Sequence, residues 1–430
     1  GRERVGIHDN FFELGGHSLL ATQVNSRLRS TFGVQLPLHT LFDSPTVAGL
    51  ASLLEASLRS ESSSDVPLVP VPRGAPLPLS FAQQRLWFLD RLQPGSPFYN
   101  MPGVLWLEGT LDVGAMERAL TELVRRHEVL RTTFEEGPVQ LIHPPAPVPL
   151  PLVDLSALPE AAREDEARRL AQEEARRPFD LARGPLLRAS LVRVSPSRHL
   201  LLLTLHHIVT DGWSMEVLVR ESAALYAAFC AGKPSPLPEL AVQYADYAVW
   251  QRAWLRDAAL EAQLSWWREH LAGAPPVLEV PTDFPRPAVQ SLRGARHSRV
   301  LPRALADSIH ALCRREGTTL FMALLAGFEI VLSRYSHQED FVVGTDIANR
   351  NRAETEGLIG FFINQLALRA RLDGDPSFRE LLGRVRKATL AAYAHQDLPF
   401  EELVKALNPE RGQGHAPLFQ VKLVLQNQPA

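Results

Sequence analysis

The sequence predicts a small all-α unit followed by a larger α/β unit of two lobes. Three observations predict it. Residues 1–58 show helical periodicity and no strand-like run. Residues 59–78 turn polar and then proline-rich, with Pro67, Pro70, Pro72, Pro76 and Pro78 favouring an extended linker. From Leu79 onward helical and strand-like segments alternate, and Pro275-Pro276 with Pro281 to Pro287 separates a lobe at 79–274 from one at 275–430. The 430 residues, 45% of them hydrophobic, suffice for several cores.

In the first unit, Leu20, Val24 and Leu28 recur every four residues after Ser18, as one face of an amphipathic helix requires. Ser44-Pro45 reads as a cap and first helical position for a second helix, with Val47, Leu50, Leu54 and Leu58 inward. Fewer than 60 residues without a disulfide make a marginal core, so a further helix is expected before residue 1. In the larger unit, helices are predicted at Phe81–Leu92, Asp112–Leu130 (Asp112 as N-cap), Glu160–Arg177, 213–229, 243–270, 303–315, 318–335 and 378–395. Strands are predicted at Val104–Leu107, Arg131–Phe134, Leu186–Val194, Leu200–His207, 340–347, 363–372 and 418–426. The apolar last strand stops close to the chain end, so the second lobe is expected to be C-terminally incomplete.

A formal net charge of −3 supplies no electrostatic footprint for nucleic acid, and no run approaches the ~18 apolar residues of a membrane span. Two cysteines cannot build a disulfide framework, which favours a reducing, cytoplasmic setting. The opening Gly1-Arg2-Glu3-Arg4 has no initiator Met and reads as the interior of a longer polypeptide.

Two segments carry chemistry. Ser18 follows Gly15-Gly16-His17 at the start of a helical pattern. A helix N-terminus offers unpaired N–H groups and a favourable dipole, so a phosphodiester on that serine is well placed. An ordinary N-cap serine is the plainer reading of Gly-Gly-x-Ser. The longer string Asp9-Asn10-Phe11-Phe12-Glu13-Leu14-Gly15-Gly16-His17-Ser18-Leu19 closely resembles the peptidyl carrier domains of nonribosomal peptide synthetases. The resemblance covers residues 1–58, lacks the family's first helix, and implies 4′-phosphopantetheine on Ser18.

The second segment, His206-His207-Ile208-Val209-Thr210-Asp211-Gly212, ends the apolar run His199 to Leu205. Successive strand side chains face opposite ways, so the two histidines cannot both address one channel unless the strand has already broken; His207, nearer the turn, is read as catalytic and His206 as structural. Asp211 lies in the following turn, placed to cap a helix from Trp213 or to hold an arginine. Two histidines and an aspartate invite a zinc reading, but no further ligands lie nearby and no metal is expected.

His-His-x-x-x-Asp-Gly is also the signature of condensation domains in the same synthetases, distant kin of chloramphenicol acetyltransferase. Leu79–Trp87, Arg126–Phe134, Tyr244–Tyr247, Ile359–Asn364, His395–Phe400 and Leu418–Gln420 resemble further motifs of that family, in order. Asp346 departs from it, standing where members often have proline. The intact histidines separate the chain from cyclising relatives. Trp213-Ser214 separates it from epimerising ones and resembles the branch taking an L-configured donor.

The resemblance implies a didomain that joins an acyl group carried on Ser18 to the amine of an aminoacyl group on a downstream acceptor carrier. His207 would orient that amine and relay its proton. Asp211 would be structural, paired with Arg131 or else Arg126; Gly212 would leave backbone room and Asn364 would line the channel. Upstream and downstream adenylation domains and a phosphopantetheinyl transferase are the implied partners. An acyltransferase acting on a free amine or hydroxyl, and a non-catalytic docking scaffold, are the competing readings.

Overall fold

In a computed structural model of the chain, the described residues are 4–16, 18–34, 36, 39–59, 66–285, 287, 294–407 and 415–426. They divide into two compact units. One comprises Val66–Trp254 with the later segment Glu354–Phe362; the other comprises the remainder.

The N-terminal helices are α1 (Ser18–Phe32), α2 (His39–Asp43) and α3 (Val47–Arg59). On α1 the fully buried position is Ala21, whereas Leu20 is exposed. Thr46 rather than Ser44 caps α3, its hydroxyl accepting Gly49 N–H at 3.1 Å. Leu54 is buried, but Val47 and Leu58 near the helix ends stay exposed.

In the Val66–Trp254 unit, β1 (Leu77–Pro78) is followed by α4 (Phe81–Leu92), β2 (Asn100–Glu108) and α5 (Val113–Arg126). Ser80 and Gln83 form a reciprocal capping box on α4, and Asp112 caps α5 by accepting from Ala115 N–H at 2.9 Å. Then come β3 (Thr132–Glu135), β4 (Val139–Ile142), β5 (Leu152–Asp154), α6 (Glu160–Arg176), β6 (Leu187–Ser195) and β7 (Arg198–His206). A small sheet runs β1-β4-β3. The larger runs β2-β7-β6-β5, antiparallel except where β5 pairs parallel with β6.

Strand β7 lies inside that sheet and is buried at every position after Arg198, which is why its sequence is apolar on both faces. Leu200 and Leu202 pack with Ala167 of α6. His206 shares their face by alternation. Helices α7 (Gly212–Cys230) and α8 (Tyr244–Trp254) complete this part of the unit.

The predicted helix over 243–270 is instead two. α9 (Asp257–His270) restarts after a break at Leu255-Arg256, with Asp257 at φ 50°. Leu264 and Trp267 of α9 enter the core of the second unit, so the units part at Trp254/Leu255 rather than at 274/275.

That unit also contains α10 (Arg303–Glu316), α11 (Leu320–Ser336), β8 (Asp340–Ile347), β9 (Asn364–Arg371), α13 (Phe378–Ala394) and α14 (Phe400–Leu407), while the short α12 (Ala353–Glu356) belongs from Glu354 onward to the first unit. Strands β8 and β9 pair antiparallel from Asp340↔Arg371 to Ile347↔Asn364. Ala21, Leu41 and Phe42 of the N-terminal helices belong to the same buried cluster as Phe341, Leu366 and Leu382, and Arg386 pairs with Asp43 at 3.0 Å.

The predicted strand over 418–426 is a single bridge, Lys422 to Gly344. Leu418 sits at φ 67°, outside strand conformation, and Phe419 N–H turns back to Pro417 O. A Cβ on Gly344 would lie 2.3 Å from the Phe419 ring, so only glycine fits there. Asp346 gains a role here: both its carboxylate oxygens lie 3.0 Å from Lys422 Nζ, and Oδ1 accepts from Gln365 Nε2. It fastens the C-terminal segment to β8. Among the described residues no single helix is long and apolar enough to cross a membrane.

Candidate functional site

Ser18 is the first residue of α1. The turn before it needs both glycines for different reasons. Gly15 has φ +100°, and a Cβ on Gly16 would meet the Phe11 ring at 2.3 Å and Phe11 O at 2.6 Å. Gly16 N–H donates to Phe11 O at 2.9 Å, tying the turn to the Phe11-Phe12 segment. The helix thus starts at the serine behind a close-fitted turn, and the dipole of a helix N-terminus suits a phosphodiester on Ser18.

The histidine motif straddles the end of β7. His206 is the last strand residue, and His207 opens a one-turn 3₁₀ helix to Val209. His206 is 2% exposed, its ring 6.0 Å from Phe179 and 6.2 Å from Tyr99. Its Nδ1 accepts Ile208 N–H at 3.1 Å. Burial, reinforced by the neighbouring His207, pushes its pKa down to about 3, so it is neutral in ordinary buffers.

His207 is half-buried and bonded differently. Its Nδ1 lies 2.7 Å from Thr210 O, and a carbonyl can only accept, so Nδ1 carries the proton. In the neutral ring Nε2 then presents a lone pair, and among the described residues Nε2 has no protein partner. The Phe361 ring lies against it, centroids 4.7 Å apart. A fixed tautomer with a free basic nitrogen is what a proton acceptor requires.

Asp211 is fully buried and caps α7, which opens at Gly212. Its Oδ1 accepts from Ser214 N and Oγ at 2.8 and 2.7 Å, and Oδ2 accepts Phe362 N–H at 2.9 Å. Neither expected arginine is its partner. Arg126 donates to Glu221 at 3.0 Å and to Pro238 O; Arg131 donates to His143 O and lies 3.7 Å from Glu128. Arg126 sits at the end of α5 and meets Glu221, ten residues past Asp211 along α7. Glu221 also takes His127 Nε2 at 2.8 Å. Burial alone would raise its pKa, but the bonds from His127 and Arg126 hold the carboxyl below its ordinary value.

Several site residues carried no chemical signature of their own in the sequence. Ser214 Oγ meets both Gly360 O (2.8 Å) and Gly360 N (3.0 Å), Tyr244 donates to Phe361 O at 2.6 Å, and Trp213 Nε1 donates to Glu356 O at 2.9 Å. The family-like strings containing them were the only pointer.

Asn364, in the second unit, has its amide bonded within that unit. Its Nδ2 donates to Gln396 O (2.9 Å) and Leu398 O (2.7 Å), and its Oδ1 accepts Phe400 N–H (3.0 Å). The whole amide is engaged in clamping the 395–400 loop, which Trp267 Nε1 holds from another side at His395 O.

A serine at a helix start, linked to a two-lobed α/β unit with one neutralised and one available histidine, defines a carrier joined to an acyltransferase. Residues 75–430 match the family description "Condensation domain" and residues 1–54 match "Phosphopantetheine attachment site". The chain belongs to the condensation-domain family, as a carrier–condensation fragment of a nonribosomal peptide synthetase. Its matched attachment site indicates a covalent 4′-phosphopantetheine group.

A linear gramicidin synthase polypeptide of Brevibacillus parabrevis is 56% identical over 99% of this chain and 6% of that protein. Phosphinothricin tripeptide synthetase PhsB of Streptomyces viridochromogenes is 44% identical over 100% of this chain and 36% of its own length. The chain therefore spans a small part of the relatives it matches. Among solved structures, the X-domain from teicoplanin biosynthesis aligns with a TM-score of 0.75 at 34% identity, covering 83% of this chain and 79% of that one. The first condensation domain of the CDA synthetase shares the fold, at 0.67 and 23% identity, covering 83% of each.

Proposed function

We propose that this fragment forms an amide between an L-configured donor acyl or peptidyl group held on Ser18 and the amine of an aminoacyl group on an acceptor carrier, with His207 as proton acceptor. The phosphopantetheine arm, bound to Ser18, would supply the activated acyl thioester and the reach to deliver it. The observation that carries this reading is the bond from His207 Nδ1 to Thr210 O, which leaves Nε2 as a lone-pair site.

An α-amine titrates near 7.7–8.0, so roughly a tenth to a fifth of it is already the neutral nucleophile at pH 7. What remains is orientation of that amine and removal of its proton as the C–N bond forms. His207 Nε2 accepts that proton and would return it to the sulfur released when the C–S bond of the donor thioester breaks; a positioned base contributes roughly 10²–10⁴-fold. His206, kept neutral by burial, supports the turn. Asp211 caps α7, and Asn364 holds its loop; both act as positioning residues. The working domains on this reading are the carrier at 1–58, the linker at 59–78 and two condensation lobes beyond it. The partners are upstream and downstream adenylation domains, the acceptor carrier and a phosphopantetheinyl transferase, all in the cytoplasm.

One neighbour, the X-domain, was solved in complex with OxyB, which keeps a docking scaffold in view for this chain. The bonding of His207 favours catalysis. The donor-loaded protein is to be offered a carrier-bound aminoacyl thioester, a free amine and an alcohol. Amide formed only with the carrier-bound acceptor, and lost in a folded His207→Ala protein, is the expected result. Transfer to the untethered amine or alcohol at equal rate points to the broader acyltransferase. A fully active His207→Ala protein removes the proposed mechanism.

A further inference from the structure

Segment Glu354–Phe362 is flanked on both sides by chain of the second unit, yet it belongs to the unit that carries the histidines. It is fastened along its length, Trp213 Nε1 donating to Glu356 O and Ile359 N–H to His127 Nδ1 at 3.4 Å, and a further set of bonds surrounds Phe361. The residue before Phe361 is held by Ser214 Oγ, which accepts Gly360 N–H at 3.0 Å while its own proton goes to Asp211. The carbonyl of Phe361 accepts from Tyr244 at 2.6 Å, and the next N–H, of Phe362, donates to Asp211 at 2.9 Å. Tyr244 is itself held, its hydroxyl 2.8 Å from Ser80 Oγ. A Cβ on Gly360 would lie 1.9 Å from the Tyr244 ring, so the backbone approaches as closely as glycine permits. Phe362 is wedged between Tyr244 and Tyr247, 4.8 and 4.7 Å between ring centroids. These bonds leave the Phe361 backbone a single place, with its ring against His207.

We propose that Phe361 is a positioning residue for His207, and that the segment Glu354–Phe362 exists in this unit to present it. The bond from Nδ1 to Thr210 O fixes one point of the imidazole but leaves the ring free to swing about that bond. The buried Phe361 ring, tilted 59° to the imidazole, covers one face and removes that freedom. Two restraints of different kinds then set where the Nε2 lone pair points. Reaction rates fall steeply with small misplacements of a reacting group, about 10²-fold for 1 Å. Asp211 acts on the reaction through this chain of contacts: it holds Phe362 N–H, which holds Phe361, which holds the imidazole.

This inference rests on His207 being the proton acceptor. The test uses the 430-residue chain loaded at Ser18, with Phe361→Ala and the milder Phe361→Leu. Single-turnover rates are measured with a carrier-bound acceptor, and the imidazole tautomer of His207 is read by ¹⁵N NMR on histidine-labelled protein. Phe361→Ala should lose about ten- to a hundred-fold in rate with little change in acceptor KM. The His207 signals should keep the Nδ1–H pattern but broaden or shift as the ring takes up more than one orientation. Phe361→Leu, which restores bulk, should recover part of both. Should Phe361→Ala not fold, Phe361→Leu decides by the same two readouts. Wild-type rate and an unchanged His207 signature, in a background where His207→Ala is inactive, would overturn the proposal. An active His207→Ala protein instead overturns the reading beneath it.

Discussion

Asp211 receives both the backbone N–H and the hydroxyl of Ser214 on a single carboxylate oxygen, at 2.8 and 2.7 Å. One carboxylate thereby caps α7 and orients the hydroxyl that grips Gly360. Removing it leaves the cap empty and the Phe362 N–H without its acceptor. A lost N-cap costs roughly 0.5–2 kcal/mol and a stranded buried N–H roughly 1–3, so Asp211→Ala should be destabilised by about 2–4 kcal/mol. Asp211→Asn keeps one oxygen for Ser214 but turns an amide N–H₂ toward the Phe362 N–H, and should fall between. Urea denaturation decides; Asp211→Ala unfolding at the wild-type midpoint contradicts the assignment.

His206 should make the protein acid-sensitive. Its folded pKa, about 3, lies below the ordinary value of 6.5, so between those values the unfolded chain binds a proton that the folded chain refuses. Stability is therefore complete above pH 6.5 and declines as pH falls toward 3, by about 1.4 kcal/mol per unit for this group. His270 adds the same sign, lowered to about 4 by burial and by Arg369, Arg371 and His395. His206→Asn keeps an acceptor for Ile208 N–H without the titration. Denaturation at pH 7, 5.5 and 4.5 should give a shallower decline for the variant; parallel declines would clear His206 of the effect.

Glu329 on α11 should act at the other end of the scale. It is 3% exposed, its Oε2 has no hydrogen-bond partner among the described residues, and burial pushes its pKa up to about 8. The folded chain holds a proton that the unfolded chain releases from about 4.5 upward, so stability is lost as pH rises through 8. Glu329→Gln, already neutral, should match wild type near pH 5 and exceed it at pH 9. Melting curves across that range that stay superimposed would refute this.

Ser18 should be the sole modification site. Incubation with a phosphopantetheinyl transferase and coenzyme A is expected to add one pantetheine mass to the wild-type chain and none to Ser18→Ala. Retention of that mass gain by the variant would move the attachment elsewhere.

Much of this was legible because local chemistry is written locally. Asp112 as a cap, the strand ending at the histidine pair and helix Phe81–Leu92 follow from propensity, periodicity and capping within a few residues. The difference between His206 and His207 has another origin than strand alternation, because β7 ends at His206 and the 3₁₀ turn that opens at His207 gives the two rings different surroundings. The failures share a cause. The break at Leu255-Arg256 and the reduction of 418–426 to one bridge depend on φ values that apolar patterning does not encode. Arg131 was chosen for Asp211 on motif proximity, whereas burial gave Arg126 to Glu221 and left Arg131 with Glu128.

By itself, then, the sequence determined the family and most element boundaries, because each rests on residues adjacent in the chain. Only the tertiary structure decided that Asp211 reaches Phe362, that Asn364 clamps residues 396–400, that Asp346 anchors Lys422 and that Phe361 rests on His207. Those partners lie from about 30 to 150 residues apart along the chain. A buried carboxylate or amide must satisfy its hydrogen bonds with whatever the fold brings within 3 Å, and no periodicity records which groups those are.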